Sequence, residues 1–190
     1  MYIKKILLGI IVCLMVSGCG GKDLPPHNPM GFSGKLNPEA ESAFSRAHVL
    51  WNQNDVCSDP LLAEELLTKA IKLEPQYAEA YLRRGLARGQ LRDWDGAFDD
   101  LTSAIRLEPT AAAYAFRGLV SLRGGNYLGA RKDLDRSLEI TKRQHRAWNY
   151  RGALNRLEGS WDAACKDFSE GCDYGDCVGL ESAVARGECK

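Results

Sequence analysis

The chain repeats itself. The stretch "AEAYLRRGLARGQLRDWDGAFDDLTSAIRLEP" from Ala78 aligns with "AAAYAFRGLVSLRGGNYLGARKDLDRSLEI" from Ala111 and with "HRAWNYRGALNRLEGSWDAACKDFSEGC" from His145. An arginine followed by a small residue recurs at Arg46-Ala47, Arg84-Gly85, Arg117-Gly118 and Arg151-Gly152. Ala63, Ala97, Ala130 and Ala164 recur at spacings of 34, 33 and 34. A period of that size, built from paired helical segments, predicts stacked helical hairpins. Second helices are expected after Asp59, Asp93, Asn126 and Ser160, all good N-caps, with Pro60, Trp94, Tyr127 and Trp161 next. Ala97, Leu101 and Ala104 share one helical stripe, as do Ala130, Leu134 and Ser137. No single hairpin can bury both its faces, so the units must stack into an all-α solenoid.

These residues resemble the tetratricopeptide repeat. Its first-helix aromatic matches Tyr81, Tyr114 and Trp148, and its small crossing residue matches Gly85, Gly118 and Gly152. Its second-helix alanine matches Ala97, Ala130 and Ala164, and its closing proline matches Pro75 and Pro109. The resemblance implies a domain over 39–190, with units at about 40–77, 78–110, 111–144 and 145–174 and a cap over 175–190. The first unit departs from the pattern: Ala47 replaces the glycine, and about four extra residues fall around Asn52–Ser58. The third ends in Thr141-Lys142 where a proline is usual.

Arg84, Arg117 and Arg151 each have an acid at the same offset of 16 residues, namely Asp100, Asp133 and Asp167. The expectation is three ion pairs within repeats that set helix register more than they add stability. A row of arginines binding an anion is the competing reading.

The resemblance also implies where a partner would sit, because first helices line the concave side in the family. Carried across, the lining is Phe44, His48 and Trp51, then Leu82, Leu86 and Gln90. Later units contribute Ala115, Leu119, Leu122 and Arg123, then Asn149, Ala153, Arg156 and Leu157. Such a groove suits an extended or helical peptide, with Trp51 and Phe44 the anchor-like residues unless they serve only to pack the first unit. It lacks the Lys/Asn arrangement of the family's carboxylate-clamp members.

The amino end predicts an address. Lys4 and Lys5 precede an apolar run over Ile6–Val16, too short to span a bilayer, and Val16-Ser17-Gly18-Cys19 follows. This resembles a bacterial lipoprotein signal. It implies a signal peptide over 1–18 and lipidation, palmitate included, at Cys19, where several acyl chains together anchor stably. Gly20 after the cysteine favours the outer membrane, facing the periplasm. Residues 19–38, rich in Gly, Pro and Asn, read as a flexible tether of about 25 Å reach. Without Lys4 and Lys5 the basic residues fall from 25 to 23 against 25 acidic ones, a formal charge of −2. That balance gives no electrostatic reason to expect nucleic acid. Lipid plus repeats resembles the envelope adaptor lipoproteins. The implied function is a scaffold that holds an envelope protein or peptide in the groove, in cell-envelope or pilus/secretin assembly. A self-associating structural anchor is the alternative.

No phosphate-binding glycine loop, GxSxG, HExxH or CxxC occurs, and none of the histidines, His27, His48 and His145, has a supporting partner in sequence. Neither catalysis nor a cofactor is expected. With Cys13 removed and Cys19 lipidated, Cys57, Cys165, Cys172, Cys177 and Cys189 remain. Cys165 and Cys172 share a helix face about 10 Å apart, too far to bond each other. An antiparallel last helix over about 177–186 would then pair Cys172 with Cys177 and Cys165 with Cys189, leaving Cys57 unpaired. Zinc is the rival reading, though spacings of 7, 5 and 12 give no tight chelating pairs.

Overall fold

The computed structural model describes residues 36–52 and 55–190; the signal-like segment, Cys19 and nearly all of the tether lie outside them. The described residues form helices α1 (Pro38–His48), α2 (Pro60–Leu73), α3 (Ala78–Gln90), α4 (Trp94–Leu107), α5 (Ala111–Arg123), α6 (Tyr127–Ile140), α7 (His145–Leu157), α8 (Trp161–Asp173) and α9 (Val178–Ala185). Consecutive helices pack as antiparallel hairpins, and each hairpin packs on the next.

Helix starts follow from side-chain capping. Asn37 Oδ1 accepts from the Glu39 and Ala40 amides ahead of Pro38, and Asp59 Oδ1 accepts from Leu62 N–H ahead of Pro60. Asp93 and Asn126 cap α4 and α6 in the same way, each at 3.0 Å. Ser160 occupies the corresponding position before α8 but its hydroxyl makes no capping bond. The turn inside each later hairpin needs one left-handed residue. Gly125 and Gly159 supply it at φ 82° and 78°, whereas the second unit uses Arg92 at φ 64°.

The hairpins close on repeated small and large residues. Ala63, Ala97 and Ala130 are fully buried, as are Leu67, Leu101 and Leu134. A Cβ on Gly85 would lie 2.9 Å from Leu101 Cγ, and one on Gly118 only 2.8 Å from Leu134 Cγ. On Gly152 it would come within 2.6 Å of the Phe168 ring. Glycine is therefore demanded by the crossing and not by helix propensity, which it lowers.

At the carboxyl end α9 covers α8. Disulfides Cys165–Cys189 and Cys172–Cys177 hold the two ends of this cap, with Ala183 and Phe168 buried between them. Cys57 is a free, buried thiol.

Candidate functional site on the first-helix face

Each repeat arginine is a node between three helices. Arg84 donates Nε and Nη2 to Asp100 at 2.9 and 2.7 Å and Nη1 back to Thr68 Oγ1 on α2. Arg117 binds Asp133 at 2.8 and 2.7 Å and reaches Thr102 on α4. Arg151 binds Asp167 at 3.0 and 2.8 Å and reaches Asp135 on α6. The guanidinium groups also lie over Tyr81, Tyr114 and Trp148. Asp100, Asp133 and Asp167 are buried, and bidentate pairing satisfies their carboxylates. The hydrogen bonds that Arg117 and Arg151 donate to Asp133 and Asp167 push the two arginine pKa values up, against the opposing effect of burial. These arginines are occupied structurally and leave nothing for an anion.

The first helices α3, α5 and α7 lie side by side and expose a shared face. Of the residues expected to line it, Leu82, Ala115 and Leu122 are buried at 7%, 0% and 9% exposure and offer a partner almost no surface. They face the packed neighbours, because apolar side chains at these positions fill the seam between units. Asn149 is also covered: Gly171 and Gly179 leave room for its amide, and Asn149 Nδ2 donates to the Asp176 carbonyl under the cap. Phe44 stacks on Tyr77 at 4.7 Å and on His48 at 5.8 Å, as part of the first unit's packing. Leu86 and Ala153 are half-buried against the core. Leu119 is half-buried, while His48, Arg123 and Leu157 are exposed. Arg156 approaches Glu188 of the cap at 3.8 Å.

The extra residues of the first unit turn towards this face. Trp51 and Cys57 form an antiparallel bridge, and Ser58 N–H closes the loop on the Leu50 carbonyl at 2.9 Å. The Cys57 amide donates to Gln90 Oε1 at the end of α3, and Arg83 lies over the Trp51 ring. Asp55, at φ 55°, directs its carboxylate between two first helices. Oδ1 is 3.1 Å from Arg83 Nη1 on α3, and Oδ2 is 2.5 Å from Arg146 Nη1 on α7. Arg146 also lies over the Phe116 ring of α5. Tyr150, one turn beyond Arg146, has its phenol pushed up to about 12 by burial, with Arg146, Asp55, Asp176 and Arg123 as its charged surroundings.

No protein-family model matches the chain. It is 34% identical over 104 residues to human tetratricopeptide repeat protein 13, a match that covers 55% of this chain and 12% of that protein. Its structure is similar to that of MamA, with a TM-score of 0.61 and 26% identity over 79% of this chain and 83% of MamA. It is also similar to YrrB, a tetratricopeptide-repeat protein with an unusual peptide-binding site, at a TM-score of 0.57, 21% identity and 78% of each chain. The fold is a tetratricopeptide-repeat solenoid.

Within that solenoid, sequence reasoning missed Asp55, Arg83 and Arg146, together with Phe116 and Tyr150, which pack behind them in the core. Arg83, Phe116 and Tyr150 recur at spacings of 33 and 34, each one residue after an expected lining position (Leu82, Ala115, Asn149). That in-phase recurrence was the available signal.

Proposed function

We propose that this chain is a lipid-anchored scaffold that holds a protein or peptide partner on its first-helix face, at the periplasmic side of the outer membrane, in assembly or upkeep of the cell envelope. The observation that carries the binding role is the face shared by α3, α5 and α7, on which the half-buried Arg83 and Arg146 converge and Arg123 and Leu157 stay exposed. Arginine side chains on a rigid support are among those that strong protein interfaces use. YrrB's description as a peptide-binding tetratricopeptide-repeat protein supports the same reading. The lipoprotein-like segment ending in Val16-Ser17-Gly18-Cys19 supports the anchor, and the two disulfides that pin the cap to α8 suit an oxidising compartment.

Photo-crosslinkers placed at Leu157 on the first-helix face and at Lys132 on α6 test the binding role in intact cells. A discrete partner adduct from Leu157 and none from Lys132 is expected; equal labelling from both sides would remove the basis for a specific face. For the anchor, radiolabelled palmitate should enter the wild-type chain and not Cys19→Ala. Equal incorporation would dispose of the lipidation.

A further inference from the structure

Arg83 and Arg146 stand on helices two units apart, yet one carboxylate satisfies both. Their side chains are 18% and 20% exposed, so each charge is largely withdrawn from water and depends on a counter-charge. Arg83 has a second acid, Glu79, at 2.9 Å. Among the described residues Arg146 has no ion-pair partner besides Asp55. The carboxylate that fills this position belongs to no repeat: it comes from the first unit's insertion. The loop that delivers it is not fully paired: Trp51 Nε1 is buried with no hydrogen-bond partner among the described residues.

From this we infer that Arg83 and Arg146 form a carboxylate-recognition site, that Asp55 is its internal occupant, and that an acidic segment of a protein partner binds by displacing Asp55. The inference rests on the binding role proposed above and adds the ligand chemistry and its regulation. Occupancy by Asp55 reduces the fraction of molecules able to bind, so apparent affinity falls by that fraction. The chemistry is satisfied equally by an aspartate or glutamate side chain and by a chain-terminal carboxylate. Phe116, buried beneath Arg146, backs the guanidinium and leaves the carboxylate contact to the two arginines.

The test uses the chain as it exists and three fluorescein-labelled octapeptides. One alternates Asp and Ala and is amidated at its C-terminus, one is all-Ala with a free carboxylate, and one is all-Ala and amidated. Asp55→Asn keeps the side-chain shape and tolerates the left-handed backbone. It should bind one of the first two peptides about tenfold more tightly than wild type and show no gain for the third. A gain for the first peptide alone identifies a side-chain carboxylate as the ligand, and a gain for the second alone identifies a terminal one. Adding Arg146→Met to Asp55→Asn should abolish the gain, with circular dichroism checking that the fold persists. Unchanged affinity for both acidic peptides on removing Asp55, or a gain that survives loss of Arg146, would overturn the inference. That failure would leave the crosslinking result at Leu157 standing, so the wider binding role is judged separately.

Discussion

At the scale of single residues, glycines of equal propensity face opposite outcomes. Gly118→Ala places a methyl 2.8 Å from Leu134 Cγ and 3.3 Å from the Ala130 carbonyl. Overpacking of that kind costs about 1–3 kcal/mol, against about 1 kcal/mol regained in helix propensity. Gly89→Ala meets Val120 at 3.9 Å, an ordinary contact, so propensity alone acts. Urea unfolding should show Gly118→Ala less stable than wild type and Gly89→Ala unchanged or more stable by up to about 1 kcal/mol. The Arg117–Asp133 pair separates in a similar way. Arg117→Met strands the buried Asp133 and should cost about 3 kcal/mol, whereas Arg117→Met with Asp133→Leu should recover most of it. A double-mutant cycle with no coupling between the two positions would contradict a structural role for the pair.

At the scale of elements, the cap offers the sharpest measurement. Cys165 and Cys189 close a loop of 24 residues, and Cys172 and Cys177 one of 5. On chain entropy alone, removal of the first should cost about 3.5 kcal/mol and of the second about 2 kcal/mol. Paired Cys→Ser variants compared by thermal unfolding check the order; a costlier loss of the short bridge would mean that strain or packing dominates. This cap was legible in the sequence because helix periodicity excludes Cys165–Cys172 and a short turn excludes a parallel helix. The repeat phase was legible too, since Asp, Asn and Pro mark helix starts and Gly85, Gly118 and Gly152 mark crossings. Asp55 was not. Its partners lie on helices far away in the chain, and no period links an insertion to Arg83 or Arg146. The depth of Leu82 was hidden for a related reason: periodicity identifies a helix face, but only packing shows how deeply each residue on it is covered.

At the scale of the whole molecule, a repeat array normally holds together through contacts between neighbours alone, and its stability is a sum of units and interfaces. Here the arginine nodes tie each second helix to both helices of the following unit. Backbone hydrogen exchange should therefore show α4 to α8 protected to a similar degree, with α1 least protected, because among the described residues it packs mainly on α2 and carries no disulfide. Protection that falls off in steps, one unit at a time, would indicate that the nodes do not couple the units.

Asp55 breaks the nearest-neighbour rule. By linking the first unit to the fourth across the inner side, it acts as a chord drawn across an arc. In an open solenoid small rotations per repeat accumulate, so curvature is soft over the length of the array. A chord fixes the distance between two points on the arc and thereby sets its radius. Whatever takes the place of Asp55 at Arg83 and Arg146 cuts that chord, so occupation of the site is also a change in how tightly the molecule is bent.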